Sequence, residues 1–384
     1  MLAPAGDTSK MMLAIEYGAD AVYLGGDRFG LRSSATIDNN QLKDAITYAH
    51  ARGKKVYVTV NIFARNSDFK ELKSYVKYLE SINADGVIVS DLGVLRLVRE
   101  NTNLKIHIST QANVLNKYTA EEYVKLGASR IILARECSIT EITEIAAHLK
   151  GKCEIEVFVH GAMCVCYSGR CLLSNYTTGR ESNRGECAHP CRWDFALIEQ
   201  KRPGEYFPID QDEHGTYIMN SKDLCLINHL KELASAGVTS FKIEGRNKSE
   251  YYVAGVVNAY RRALDGEKFD FIKELDKTAH RPWSTGFVFG GNDHLFAKNP
   301  NPQSTHQVVA QVIDGNRVKQ LNVFCVGDEL EILSPDKNHN KTFTITKITD
   351  ANGQDVTRAN RAGFTYCIES ACTLAPNVFL RKKL

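Results

Sequence analysis

The chain has 384 residues, of which 43% are hydrophobic and 24% charged, with a formal net charge of +3. These values are typical of a folded globular protein and exclude a disordered or collagen-like chain. No run of about 18 apolar residues predicts a membrane span, and the first residues lack a secretory signal pattern. We therefore expect a cytoplasmic protein with no membrane partner. The first strand begins almost at Met1, which leaves the true start of the protein open.

Short apolar runs alternate with amphipathic stretches of helical length up to about residue 275. This alternation predicts a parallel sheet covered by helices. Because seven or more strand–helix units follow one another and no phosphate-binding fingerprint is present, residues 1–275 are predicted to form an α/β fold of the (β/α) TIM-like barrel type and not an open sheet. Nine runs are one too many for eight strands, so either one is peripheral or the barrel is irregular. The runs are LAPAG, ADAVYLGG, KKVYVTVN, DGVIVSD, LKIHIST, SRIILARE, EIEVFVHG, TYIMNSKD and TSFKIEGR.

A Cys-rich insertion, at about residues 161–216, interrupts the barrel pattern. The stretch HGAMCVCYSGRCLLSNYTTGRESNRGECAHPCRW, from His160 to Trp193, contains five cysteines and four arginines. Cys225 follows soon after. In a reducing compartment such a group is more often metal-binding or catalytic than disulfide-bonded.

Four thiolates are available to a metal from Cys164, Cys171, Cys187 and either Cys191 or Cys225. Six residues lie between the first two of these cysteines, fifteen between the next two, and three or thirty-seven before the fourth. Structural zinc sites usually show two tight cysteine pairs, whereas this wide and uneven spacing favours an iron–sulfur cluster. Zinc, and buried free thiols without a metal, stay open as alternatives.

Polar residues follow most of the predicted barrel strands and predict a polar cavity at the mouth of the barrel. From position alone, we expect His160, Lys242 and Glu244 to carry acid–base chemistry. Basic residues gather in the same region and suit a phosphate or carboxylate ligand. A solvated surface with scattered ion pairs is the alternative. The substrate-binding candidates are Arg170, Arg184, Arg192, Asn220 and Arg246.

The pattern changes after a Gly-, Pro- and Asn-rich passage at residues 276–304, which we interpret as a linker. Short alternating runs separated by turn residues occupy residues 305–384. They predict a small C-terminal all-β barrel domain.

The segment EVFVHGAMCVCYSGRCLLS, from Glu156 to Ser174, resembles the signature of the U32 peptidase family. The segments NRGECAHPCRW, NSKDLC, FKIEGR, LAPAG and GADAVYLGG also look like this family, so the resemblance spans most of the chain. No serine-nucleophile, zinc-protease or nucleotide-binding motif is present. The arrangement CAHPCRW, KRPGEY, NSKDLC and a C-terminal β-domain is most similar to the tRNA hydroxylation branch of the family.

That resemblance implies oxygen-independent hydroxylation of the wobble uridine of tRNA to 5-hydroxyuridine, with the anticodon loop as partner and prephenate as a co-substrate. It also implies a [4Fe–4S] cluster on Cys164, Cys171, Cys187 and Cys225, with Cys191 as the alternative fourth ligand. A cluster with four cysteine ligands has no open iron, which favours electron transfer or a structural role. A U32-type peptidase or collagenase is the second interpretation, and a zinc-stapled non-catalytic RNA-binding protein is the third. The oligomeric state is left open.

Overall fold

The computed structural model describes residues 1–31, 37–164, 166–193, 211–212, 215–216, 221–290, 302–369 and 374–384. The chain divides into two compact units. The first contains Met1–Ile15, Ala19–Lys248 and Arg281–Pro302, and the second contains Glu16–Gly18, Ser249–His280 and Gln303–Leu384. Among the described residues, no helix is both long enough and apolar enough to cross a bilayer.

Eight parallel strands of the first unit form a closed barrel. Neighbouring strands pair in chain order from β1 to β7, and β11 pairs with both β7 and β1, which closes the ring. The strands are apolar and buried on both faces, as in β3, where Val56, Val58 and Val60 have no exposed surface. The strands of this unit are β1 Leu2–Pro4, β2 Ala21–Gly25, β3 Lys55–Val60, β4 Gly86–Val89, β5 Lys105–Ile108, β6 Ala128–Ile132, β7 Glu154–Ala162, β8 Gln211–Asp212, β9 Gly215–Thr216, β10 Asp223–Cys225, β11 Ser240–Ile243 and β12 Trp283–Ser284.

Helices alternate with the barrel strands, and local sequence fixes several of their starts. Asp91 accepts a hydrogen bond from the Val94 amide at the start of α4, and Ser138 forms a capping box with Glu141 at the start of α6. The α-helices of the chain are α1 Thr8–Glu16, α2 Asn39–His50, α3 Phe69–Ser81, α4 Leu92–Asn101, α5 Lys117–Lys125, α6 Ile139–His148, α7 Leu173–Thr178, α8 Leu230–Ser235, α9 Glu250–Leu264 and α10 Phe271–Leu275.

Half of the ninth predicted run, TYIMNSKD, lies outside the described residues. Its last residue, Asp223, begins β10, which pairs antiparallel with β7 and parallel with β12. Eight strands therefore close the barrel, with register shifts between β5 and β6 and between β7 and β11, and β10 is peripheral to the ring.

The second unit contains an antiparallel sheet in the order β17-β16-β22-β13-β14-β21-β18-β19, with β15 and β20 as a separate pair. Within the described residues the two edge strands of this sheet are not paired with each other, so the predicted all-β barrel is a half-barrel. Its core contains Phe324, Leu330, Ile332 and Leu380. The strands are β13 His306–Asp314, β14 Arg317–Gln320, β15 Phe324–Cys325, β16 Glu329–Leu333, β17 Thr342–Thr344, β18 Ile348–Thr349, β19 Asp355–Val356, β20 Arg358–Ala359, β21 Thr365–Ile368 and β22 Phe379–Lys383.

The division between the units differs from the predicted boundaries at residues 275 and 304. Helices α9 and α10 group with the half-barrel, and most of the predicted linker, Arg281–Pro302, groups with the barrel. An ion pair that sequence spacing does not reveal links α10 to the half-barrel. Arg381 in β22 is fully buried, and its Nη2 lies 2.7 Å from Oε1 of Glu274 in α10.

Candidate functional site

Loops at the carboxyl ends of the barrel strands meet at one mouth, because all eight strands run in the same direction. Gln111 follows β5, Arg135 follows β6, and Glu244 follows β11. All three side chains border two adjoining cavities, one of about 300 Å³ and one of about 50 Å³. The structure thus contains the polar cavity that the strand ends predict.

Five cysteines line the larger cavity, which we call the cysteine cavity. Cys225 does not line it. This residue is buried in β10, directly opposite His160 of β7 in the antiparallel ladder. Cys191, the alternative fourth ligand, lies among the other cysteines in this lining, whereas the choice between Cys191 and Cys225 as fourth ligand stays a prediction. The five are Cys164, Cys166, Cys171, Cys187 and Cys191.

The thiols of the cysteine cavity lie close enough to affect one another's ionisation. Burial raises the pKa of Cys166 to about 12, and a hydrogen bond with Cys171 and the charges of Cys164 and Cys191 add to this effect. Arg135 Nη2 lies 3.5 Å from the Sγ of Cys164, as a hydrogen-bond donor. The thiolate, and not the thiol, is the form that binds metals.

The donor set of the cysteine cavity fits an iron–sulfur cluster. Such clusters are held by four cysteine thiolates, and five thiols surround this one space. The four predicted ligands are Cys164, Cys171, Cys187 and Cys225, with Cys191 as the alternative fourth, and this ligand set stays a prediction. In the described part of the chain, no three His, Cys, Asp or Glu side chains converge as the ligands of a single metal ion would.

The Cys-rich segment is attached to the barrel through the loops after β5 and β6. Glu136 accepts hydrogen bonds from the amide and the hydroxyl of Ser168, both at 3.0 Å. Gly169 has φ of 76°, and a Cβ at this position would overlap the carbonyl oxygen of Gln111. Only glycine combines this left-handed backbone with so close an approach, so the residue seats the cysteine loop on the barrel.

The smaller cavity, which we call the basic pocket, contains the predicted catalytic residue Lys242. Its Nζ lies 3.3 Å from Oε1 of Glu156 and 4.1 Å from the centre of the Tyr23 ring. Burial lowers the pKa of Lys242 below its usual value, and Glu156 opposes this shift. A buried lysine of this kind gives up its proton more readily than one in water.

Arg246, a predicted substrate-binding residue, also lines the basic pocket. The side chain is buried, and its Nη1 donates to Oγ1 of Thr59 at 3.3 Å. A Cβ at Gly25 would overlap the guanidinium of Arg246. Gly25, the last residue of β2 in the run LGG, therefore leaves room for the Arg246 side chain. Among the described residues, the lining of the basic pocket contains three basic side chains, Arg135, Lys242 and Arg246, and one carboxylate, Glu244.

Glu244 is placed to act in both cavities, because it borders both of them. Its amide donates to the carbonyl of His160 at 2.9 Å, which fixes the backbone after β11. The hydroxyl of Tyr23 donates to Oε2 at 3.3 Å and to the Ile243 carbonyl at 2.9 Å. A carboxylate held in this way can accept or return a proton within either space.

His160, the third predicted catalytic residue, lines neither cavity. It is fully buried in β7, and its ring centre lies 5.2 Å from that of Trp283. Its catalytic role stays a prediction, and its surroundings are those of a core histidine.

The predicted arginines have different surroundings. Arg170 is exposed at the edge of the Cys-rich segment. Arg184 binds Asp68 through two contacts, at 2.9 and 3.3 Å, and donates to the Phe63 carbonyl at 2.8 Å. The side chain of Arg192 and all of Asn220 lie outside the described residues.

Sequence reasoning missed Arg135 and Glu156. Arg135 stands directly after the strand run SRIILA, a position that predicts the barrel mouth as well as Glu136 does. Glu156 is fully buried in β7, where it pairs with Arg130 at 3.0 Å and accepts from Ser240 at 2.7 Å. A charged residue inside an apolar strand run is the signal that could have identified it.

Comparisons with known proteins agree over most of the chain. The model of peptidase family U32 matches residues 6–296, and that of the family's C-terminal domain matches residues 304–381. Escherichia coli tRNA hydroxylation protein P is 38% identical over 95% of this chain and 92% of the relative. Bacillus subtilis tRNA hydroxylation protein P1 is 38% identical over 94% of this chain and 89% of the relative.

A more distant relative has a related name. The Escherichia coli 23S rRNA 5-hydroxycytidine C2501 synthase is 34% identical over 75% of this chain and 45% of its own length. The matched models cover both the barrel with its cysteine cavity and the half-barrel. The chain belongs to peptidase family U32.

Proposed function

We propose that this protein hydroxylates the wobble uridine of tRNA to 5-hydroxyuridine without molecular oxygen, and that a [4Fe–4S] cluster occupies the cysteine cavity. The observation that carries the proposal is that five thiols and Glu244 border one cavity at the barrel mouth. The names of the matched relatives support it, because they refer to tRNA hydroxylation and to 5-hydroxylation of a pyrimidine. The proposal places the protein in the cytoplasm, where its substrate is.

The proposed substrate is an unpaired base of the anticodon loop. Enzymes that modify a base need it out of the stack, and a base in a single-stranded loop is extruded at little cost. The cysteine cavity is open at the mouth and has Tyr167 in its lining, with more than half of that side chain exposed. An exposed aromatic ring beside the cavity suits stacking on such a base.

The basic pocket, with a volume of about 50 Å³, has room for one carboxylate group of the proposed co-substrate, a small carboxylic acid such as prephenate, whose remainder would extend into the cysteine cavity. Arg135, Lys242 and Arg246 give the pocket an excess of positive charge, and guanidinium groups bind carboxylates through paired hydrogen bonds. In this proposal the acid lies next to the cysteine cavity, because both spaces share Arg135 and Glu244.

Glu244 is the proposed proton acceptor. Replacing the hydrogen on C5 of the uracil ring by a hydroxyl group at the oxidation level of water releases two protons and two electrons, so the reaction needs a base for the protons and an acceptor for the electrons. Glu244 borders the cysteine cavity, and the Tyr23 hydroxyl holds its Oε2 at 3.3 Å. A cluster held by the thiols would supply one-electron transfer beside this carboxylate.

The test combines metal analysis with analysis of modified nucleosides. Protein purified without air is assayed for iron, sulfide, zinc and visible absorption, and tRNA from cells carrying each variant is digested and analysed by mass spectrometry. We expect roughly four irons and four sulfides per chain, and loss of both the cluster and 5-hydroxyuridine in Cys164→Ala and Cys187→Ala. Cys367→Ala, in the half-barrel, is the matched control and is expected to keep both.

The same experiment decides the fourth ligand and the alternatives. Loss of iron in Cys191→Ala but not in Cys225→Ala would assign the fourth ligand to Cys191. One zinc per chain with unchanged 5-hydroxyuridine in a deletion strain would favour the zinc-stapled RNA-binding alternative. Cleavage of a protein substrate that disappears in Cys187→Ala would favour the peptidase alternative, and either result would overturn the proposal.

A further inference from the structure

An open groove adjoins the cysteine cavity on the side of the loops after β3, β4 and β5. It encloses about 700 Å³, within the range of about 300–1,000 Å³ that is usual for small-molecule sites. Gln111, Gly169 and Asn183 line both spaces. We call it the flanking groove, and it is lined mainly by Phe63, Leu92, Asn113, Tyr123, Arg170 and Leu172.

We propose that the flanking groove binds the nucleobase next to the one that is modified, by stacking on Phe63 and Leu172. The proposal rests on the proposed function, because it takes the occupant of the cysteine cavity to be a base of a single-stranded RNA. It goes further by assigning a binding site for the neighbouring nucleotide, whose base would otherwise stay in solvent.

Apolar surface is the first observation that supports this occupant. The exposed fractions of Phe63, Leu92 and Leu172 are 40%, 56% and 60%. One exposed apolar side chain is ordinary, but three lining the same groove mark a surface that binds something. Flat apolar and aromatic faces suit a nucleobase, since every base presents a π-face whatever its sequence.

Asn113 is the second observation. Its backbone has a left-handed φ of 55°, and its Oδ1 is buried without a hydrogen-bond partner among the described residues. Buried polar atoms are nearly always satisfied, so an exception needs an explanation. The amide of Asn113 is not held through its oxygen and can turn to meet the edge of a base, which offers both donors and acceptors.

The charge of the groove is the third observation. Arg170 is exposed in its lining and is placed to meet a backbone phosphate. The one carboxylate in the lining is Asp91, and it accepts a hydrogen bond from the Val94 amide at 3.0 Å. The groove thus combines one cation for a phosphate with apolar faces for a base.

Hydrogen bonds from the Cys-rich segment fix the backbone of Phe63 in the groove lining. The Phe63 amide donates to the Asn183 carbonyl at 3.1 Å, and Arg184 donates to the Phe63 carbonyl at 2.8 Å while it pairs with Asp68. This assigns Arg184 a positioning role. A wall that is already in place needs no ordering when the base arrives, which favours binding.

The test uses an anticodon stem-loop RNA that carries 2-aminopurine on one side or the other of the target uridine. Stacking quenches the fluorescence of 2-aminopurine. A fall in fluorescence on binding to the anaerobic holoenzyme therefore shows which of the two labelled positions enters the groove. We expect quenching at one of the two positions, and its loss in Phe63→Ala and Leu172→Ala with binding weakened about 5- to 150-fold. Tyr176→Ala is the control, because this 83% exposed ring belongs to the same segment but does not line the groove.

Iron content and circular dichroism are measured on each variant, and two substitutions on opposite walls guard against one that fails to fold. The groove assignment would be overturned if the fluorescence were equal at both positions and unchanged in both variants. If the wild-type protein still made 5-hydroxyuridine, the proposed function would remain intact. Absence of 5-hydroxyuridine in cells with the wild-type protein would instead overturn the proposed function.

Discussion

Each unit contains a group of buried charges, and the two groups differ in what surrounds them. In the second unit Arg381 and Lys277 contact Glu274 and Glu331, with all four contacts between 2.6 and 2.9 Å. Two cations thus meet two carboxylates. At the barrel mouth, the described lining of the basic pocket contains three basic residues and one carboxylate, and Lys242 also pairs with Glu156, which does not line the pocket. Buried charges that satisfy one another stabilise a fold, whereas those that face a cavity are available to a ligand.

The largest effect expected from this contrast is at the barrel mouth. Glu244→Gln keeps the size of the side chain but removes the base, so we expect hydroxylation to fall by about 100- to 10,000-fold. The measurement is 5-hydroxyuridine in tRNA from cells that express the variant, with cluster content measured on the purified protein. Glu100→Gln, an exposed residue paired with Arg96, is the control. Full activity in Glu244→Gln would exclude a proton-transfer role.

The second effect is on stability. Arg381→Ala removes one of the two cations that Glu274 and Glu331 share and leaves only Lys277. Breaking a buried pair in this way destabilises by about 3–5 kcal/mol. We expect faster hydrogen exchange at the amides of β16 and β22. Arg317→Ala removes an exposed pair with Asp314 and should change the free energy of unfolding by less than about 1 kcal/mol. Equal effects of the two substitutions would contradict a structural role for the buried group.

The pH dependence of stability sharpens the same comparison. Burial lowers the pKa of His339 and of His306, although neighbouring carboxylates oppose the shift. A histidine whose pKa is lower in the folded state binds more protons when unfolded, so stability falls as the pH drops below about 6.5. The slope is at most about 1.4 kcal/mol per pH unit for each histidine. Urea denaturation between pH values of roughly 5 and 8 measures it, and His339→Gln should reduce the slope.

We expect the free energy of unfolding to fall a second time at more acidic pH, because of Glu274. Burial alone would raise its pKa, but the hydrogen bond with His339 and the charges of Arg381 and Lys277 hold the pKa well below its usual range. Its contribution to stability is therefore present above about pH 4.3, the unfolded value, and is lost as the pH falls through the folded pKa. Denaturation curves that do not change below about pH 4 would contradict this pairing.

The smallest effect is on the salt dependence of RNA binding. Arg170→Gln removes one cation from the rim of the flanking groove, and each phosphate contact contributes about one unit to the slope of log affinity against log salt concentration. We expect that slope to become shallower by about one in Arg170→Gln. Arg317→Gln is expected to leave it unchanged. Binding is measured with the stem-loop RNA at several salt concentrations.

The barrel could be predicted because buried parallel strands and helices repeat along the chain. The sequence shows one apolar run more than eight strands need, near residues 216–223. The antiparallel pairing of β10 with β7 was not predictable, because it depends on contacts across the fold. The same limit applies to Cys191 and Cys225. Spacing allows either as a ligand, and their places in the fold, Cys191 in the lining of the cysteine cavity and Cys225 in β10 opposite His160, depend on contacts that no local pattern encodes.

The functional side chains were partly predictable for a similar reason. Residues that directly follow strands, such as Glu244 and Arg246, reach the mouth because barrel geometry places them there. Arg184 looks like a phosphate ligand in the sequence, whereas the structure pairs it with Asp68. The partner lies more than one hundred residues away in the chain, and no local pattern indicates it.

The direct pairing of β11 with β7 has an evolutionary consequence. The barrel closes between these strands whatever the chain does between Ala162 and Ser240. That stretch leaves and rejoins the ring at adjacent strands, so its length and sequence can drift without opening the ring. Relatives that act on different nucleic acids are therefore expected to diverge most in the parts of this excursion between its cysteine motifs, while those motifs and the strands that frame the excursion stay alike.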